Sequence, residues 1–198
     1  MTSSMGRAFA EFCITHGVDP ERFKSVIADA YGGGGPDGMV ALLERGRVEL
    51  GEFERWLARE LSGDGGAALD PTGLKERIFA GMQPDERMVD VVATLRHAGV
   101  KTALVSNSWG STTYDQARGP DLFDVVVISG EVGLRKPDAD IYLLAAERLG
   151  VMPAKCVFVD DLLHNVEGAQ AVGMEALVHR SAEFTIPELE TLFGVSLG

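Results

Sequence analysis

Cys156-Val157-Phe158-Val159-Asp160-Asp161 is the stretch on which the fold turns. It is an apolar run without polar alternation, closed by two adjacent carboxylates. A strand that is apolar on both faces belongs in a parallel sheet with helices above and below it. Three further runs share that character: residues 102–105, Val125–Ile128 and residues 176–178. Between the last three strands lie the helical patterns Ala139–Leu149 and 163–172. Strands alternating with helices predict an α/β fold, a doubly wound parallel sheet.

Upstream of Gly99 the pattern is helix after helix. Met5–His16 sets Phe9, Phe12 and Cys13 on one face. Residues 20–31 open with Asp19-Pro20, an N-cap followed by a proline at the first helical position. Gly32-Gly33-Gly34-Gly35-Pro36 follows a helix and lacks a Gly-Lys-Ser/Thr ending, so it reads as a turn rather than a phosphate loop. Met39–Glu44 is short. Residues 50–61 carry the stripe Phe53, Trp56, Leu57 and Leu61, in which Phe53 and Trp56 are expected to pack in a core. Residues 62–67 form a glycine-rich joint. Helices are expected over 71–82 and 84–98, the last closed by Gly99. The division expected is a helical region, 1–82, and an α/β core, 83–198.

Composition narrows the function classes. The chain has 198 residues, 45% of them hydrophobic, which fits a folded domain of this size. No apolar run reaches the ~18–20 residues of a membrane span. Met1-Thr2-Ser3-Ser4 does not open a signal peptide. Cys13 and Cys156 are far apart and are expected as reduced thiols in a cytoplasmic protein. The formal net charge of −12 disfavours nucleic acid and anionic membrane as partners. It also repels anionic substrates, so any phosphate site has to be built locally.

Ligands of doubly wound sheets bind at the carboxyl ends of the strands. Ser106-Asn107-Ser108-Trp109-Gly110 follows the first strand. A hydroxyl and an amide there can donate to phosphate; equally, Ser, Asn and Gly are common turn formers. Trp109 beside them reads either as part of that site or as packing. Asp160-Asp161 ends the third strand. Two carboxylates at a buried strand end repel and resist desolvation, and a divalent cation such as Mg²⁺ relieves both. An N-cap would explain one aspartate, not two. Asn165 lies one helical turn beyond Asp161 and can face the same ligand sphere. His164 is given no role. Gly133-Leu134-Arg135-Lys136-Pro137-Asp138 places Lys136 before a proline, in extended backbone. Its ammonium can serve as a point charge for phosphate or for a carboxylate nucleophile, or it can simply be solvated, as Arg135 is taken to be.

The order of these features resembles the haloacid-dehalogenase-like hydrolase superfamily over roughly residues 83–179. The matching text is Leu104-Val105-Ser106-Asn107-Ser108-Trp109, Gly130-Glu131-Val132-Gly133-Leu134-Arg135-Lys136-Pro137 with Ile141-Tyr142, and Val157-Phe158-Val159-Asp160-Asp161 with Asn165-Val166-Glu167. Within the superfamily the chain most resembles bacterial relatives of the phosphatase domain of soluble epoxide hydrolases. The resemblance implies a Rossmannoid core with a small helical cap. It implies that Ser106 and Asn107 bind the phosphoryl group and that Lys136 neutralises it. Asp161 is implied as the main Mg²⁺ ligand, Asp160 as a ligand or the acid beside it, and Asn165 as the residue steadying the metal sphere. The implied substrate is a small phosphorylated metabolite, hydrolysed through an aspartyl phosphate.

The superfamily's first motif, a strand ending in the nucleophilic aspartate, has no match. The first acidic residue, Glu11, falls inside a helix. The central strand is therefore expected to be missing between the strands ending at Val105 and Val159. A gap or a distorted pairing is expected there, together with negligible phosphatase activity. The expectation is an N-terminally truncated chain; the alternatives are a non-catalytic ligand-binding or interaction protein, and a haloacid dehalogenase relative, against which the paired acids argue.

Overall fold

The computed structural model describes residues 5–31, 38–62, 68–109 and 122–198. The four-glycine turn and most of the glycine-rich joint lie outside them. The chain divides into two compact units, Thr2–Pro84 and Asp85–Gly198. None of the described helices is long and apolar enough to cross a membrane.

The first unit contains α1 (Met5–His16), α2 (Pro20–Ala30), α3 (Met39–Glu44), α4 (Leu50–Ser62) and α5 (Leu74–Phe79). Aromatic contacts knit it together: Phe9 lies 5.0 Å from Phe23 and 6.0 Å from Phe79, centroid to centroid. Phe53 and Leu57 of α4 are fully buried, and Trp56 packs on Phe53 at 5.8 Å. The Asp19 side chain accepts from the Glu21 N–H and starts α2, as its sequence predicts. By contrast, α5 is only six residues long, where 71–82 was expected. Asp70 accepts from the Thr72 N–H, forming an Asx turn. Gly73 then stands at φ +64°, outside the helical region, so the helix cannot begin at Pro71.

The second unit contains α6 (Glu86–His97), β1 (Ala103–Ser106), β2 (Val125–Ile128), α7 (Ser129–Val132), α8 (Ala139–Leu149), β3 (Val157–Asp160), α9 (Leu163–Ala171), β4 (Glu175–Val178) and α10 (Ala182–Phe193). Side-chain alternation along the strands builds two cores. Phe158 and Ala176 join Val105, Val127, Ile141, Tyr142, Val166 and Ala169 on the α8–α9 face. Val157, Val159 and Leu177 join Met88, Val91, Leu95, Ile186 and Leu189 on the α6–α10 face. Both faces are covered, as the apolar runs require. The helix α10 has no expectation in the sequence pattern, because Pro187 interrupts its interior. Burial of Thr185, Ile186 and Leu189 holds it in place nonetheless.

The strands form two parallel pairs, β1–β2 and β3–β4. Ala103 faces Val125 and Ser106 faces Ile128 in one; Val157 faces Glu175 and Asp160 faces Val178 in the other. Among the described residues no ladder joins β1 to β3, which is the interruption expected at that place. The pairs nevertheless share one core. The helix α8 packs on β1 and β2 and also on α9, which covers β3 and β4.

Candidate functional site at the carboxyl ends of the strands

The carboxyl ends of β1, β2 and β3 deliver Ser106-Asn107-Ser108, Ser129 and Asp160. Ser106 and Ser108 are buried. The Ser108 N–H donates to Ser129 Oγ at 3.0 Å, so the end of β2 steadies the loop after β1. Ser129 is fully buried, and its role is absent from the sequence reading. It was findable: it follows the last residue of an expected strand.

Asn107 clasps the backbone of Lys136 on both sides. The Lys136 N–H donates to Asn107 Oδ1 at 2.8 Å, and Asn107 Nδ2 donates to the Lys136 carbonyl at 2.9 Å. An amide can mimic a peptide in this way because it carries both a donor and an acceptor; the second Nδ2 hydrogen is not used in the clasp. The ammonium of Lys136 then donates to Asp160 Oδ2 at 2.6 Å and lies 5.6 Å from the Phe158 ring centroid. Lys136 is 9% exposed, so the reading of a solvated surface lysine is set aside. Arg135 is half-buried rather than solvated.

Asp160 accepts hydrogen bonds at both carboxylate oxygens. Besides Lys136 it accepts at Oδ1 from Asn165 Nδ2 at 3.0 Å and from the Leu162 N–H at 2.9 Å. The last contact is an Asx turn just before α9, whose N-cap is Leu162 and carries no side-chain cap, so the capping reading is not met. Burial by itself pushes the Asp160 carboxyl up. The Lys136 ammonium, the Asn165 amide and the Leu162 N–H outweigh burial and hold it below its ordinary value. Asp161, by contrast, is exposed.

Asn165 is 3% exposed, and its Oδ1 has no hydrogen-bond partner among the described residues. Its backbone carbonyl accepts from Tyr142 Oη at 2.7 Å. The Tyr142 ring meets Phe158 edge-on at 5.1 Å. Trp109 is buried. A hydrogen-bonded chain therefore runs from Asn107 through Lys136 and Asp160 to Asn165 and Tyr142. It ties the end of β1 to the end of β3 across the interruption in the ladder. The structure thus gathers Asn107, Lys136, Asp160 and Asn165 into one network. Ser106 precedes Asn107 at its margin, and Asp161 follows Asp160 on the solvent side.

Comparison with known proteins identifies the family. Residues 4–173 match the haloacid dehalogenase-like hydrolase family. Bifunctional epoxide hydrolase 2 of Sus scrofa is 26% identical over 211 residues, covering 100% of this chain and 37% of that protein. Phosphatase MT3486 of Mycobacterium tuberculosis is 36% identical over 139 residues, covering 68% of this chain and 63% of that one. The chain thus spans less than two thirds of either relative. A predicted HAD-like family hydrolase from Porphyromonas gingivalis superposes with a TM-score of 0.65 at 25% identity, over 87% of each chain. The family match covers most of the chain, its relatives include a phosphatase, and this chain belongs to the haloacid dehalogenase-like hydrolases.

Proposed function

We propose that the unit Asp85–Gly198 grips the phosphoryl group of a small phosphorylated metabolite at the carboxyl ends of β1 and β3. One observation carries the reading: a buried lysine is held at both of its backbone groups by Asn107 and at its ammonium by Asp160. Such pre-organisation is how phosphoryl-transfer sites stabilise charge without rearranging. Ser106 and the second Nδ2 hydrogen of Asn107 supply donors, and Lys136 supplies the cation. In a chain of net charge −12 this local arrangement is what attracts phosphate.

Mg²⁺ fits the donor set in kind. Asp161 offers an exposed carboxylate, and the buried Asn165 Oδ1 is an oxygen without a partner among the described residues. Asp160, bonded to the ammonium through Oδ2, is read as the acid that positions Lys136 beside the ligand Asp161. No group of three or more His, Cys, Asp or Glu side chains among the described residues is arranged to hold a metal. Asp161 would therefore hold the ion together with water and substrate phosphate, the usual manner for magnesium. When bound, the ion would neutralise phosphate charge.

In the family chemistry implied by the motifs, an aspartate carboxylate takes the phosphoryl group and water then releases it. By the order of the motifs Asp160 and Asp161 match the metal-binding acids and not that nucleophile. We accordingly assign this 198-residue chain phosphate binding with negligible turnover. Titration calorimetry with Mg²⁺ and inorganic phosphate tests the first part: binding is expected, and its absence refutes it. Assay with p-nitrophenyl phosphate tests the second: robust Mg²⁺-dependent turnover would refute it.

A further inference from the structure

Gly168 stands inside α9 with φ outside the positive range, so backbone freedom does not account for a glycine there. A glycine in a helix interior is less favourable than alanine. The reason for it lies in what covers it. A Cβ at this position would meet the Pro137 carbonyl oxygen at 2.7 Å, Pro137 Cβ at 2.9 Å and Tyr142 Oη at 3.0 Å. The first is backbone and cannot swing aside.

Pro137 is bonded to Lys136. To clear a methyl group on α9, Pro137 and the carbonyl it carries must move away from the helix. That displacement carries the Lys136 carbonyl, which accepts from Asn107 Nδ2 at 2.9 Å. It also draws the ammonium from its 2.6 Å contact with Asp160. Tyr142 Oη, the third neighbour, is the group that anchors the Asn165 carbonyl. All three contacts thus bear on the same network.

We propose that Gly168 is a positioning residue: its missing side chain lets Pro137 seat against α9 and so keeps the adjoining Lys136 ammonium at Asp160. The consequence for ligands rests on the reading of Lys136 as the phosphate cation. Gly51, in α4, is the contrast. A Cβ there meets only the flexible Arg55 Nη1, at 3.5 Å.

The test compares G168A and G51A by thermal unfolding, by the ¹H–¹⁵N signal of the Lys136 ammonium (assigned with K136R), and by binding of inorganic phosphate. G51A is expected to raise Tm and leave the ammonium signal in place. G168A is expected to lower Tm, shift or abolish that signal, and weaken phosphate binding about tenfold, the scale of one charged hydrogen bond. Should G168A alone fold poorly, the G51A/G168A double variant carries the same readout. An unchanged Lys136 signal in G168A, even with a lowered Tm, overturns the proposal. If the wild type binds no phosphate, the functional reading falls, and the ammonium signal still decides the role of Gly168.

Discussion

Among the described residues two lysines are buried, one in each unit, and they are held differently. Lys75 in α5 is 3% exposed and Lys136 is 9% exposed. At Lys75 burial dominates and lowers the ammonium's pKa, with Glu76 and Glu54 opposing it only in part. Glu54 is itself hydrogen-bonded to the Lys75 backbone N–H at 3.0 Å. Lys136 instead has a short, direct bond to Asp160 and a fixed backbone on either side. Burial alone does not make a site. What distinguishes Lys136 is that Asn107 from the end of β1 and Asp160 from the end of β3 converge on it.

The largest test of this difference removes the cation. K136M should leave Asp160 buried without its counter-charge and cost about 3–5 kcal/mol in denaturant unfolding, with phosphate binding abolished. N107A comes next. It strips both partners from the Lys136 peptide and should cost about 1–3 kcal/mol, with a further loss in phosphate affinity. If N107A matched an ordinary surface substitution, the clasp would have no energetic meaning.

The pH responses should run at opposite ends of the scale. Asp160 titrates lower folded than unfolded, so its stabilisation is present above the ordinary carboxylate value and is lost as pH falls through the folded value. Unfolding followed in EDTA should show that acid limb in the wild type and not in D160N. Lys75 also has a lowered value, but it is a base. The unfolded chain then binds the proton more readily, so stability should rise with pH between the folded value and the ordinary 10.5. K75M should flatten that rise, and a persisting slope would refute the assignment to Lys75.

Much of this was legible in the residues. Apolar runs without alternation decided for a parallel, doubly covered sheet, and the strand-end rule picked out Ser106, Asn107, Asp160 and Asp161. The start of α2 was legible because Asp19-Pro20 acts within one turn. The short α5 was not, because the left-handed Gly73 and the Asp70 turn overrode a pattern that looked helical. The helix α10 was hidden by Pro187, whose penalty the packing of Ile186 and Leu189 offsets.

By itself, the sequence determined the chemistry available: hydroxyls, an amide, a lysine and paired acids, in an order that follows the strands. Tertiary structure decided which acid faces the lysine and which faces solvent. Asp160 and Asp161 are adjacent in the chain, yet side chains alternate at a strand end, and only one of them can meet Lys136. It also decided that Asn107 serves Lys136 through the backbone and that Gly168 is small for the sake of Pro137. Those relations join residues 24 to 31 positions apart, beyond the reach of any local pattern.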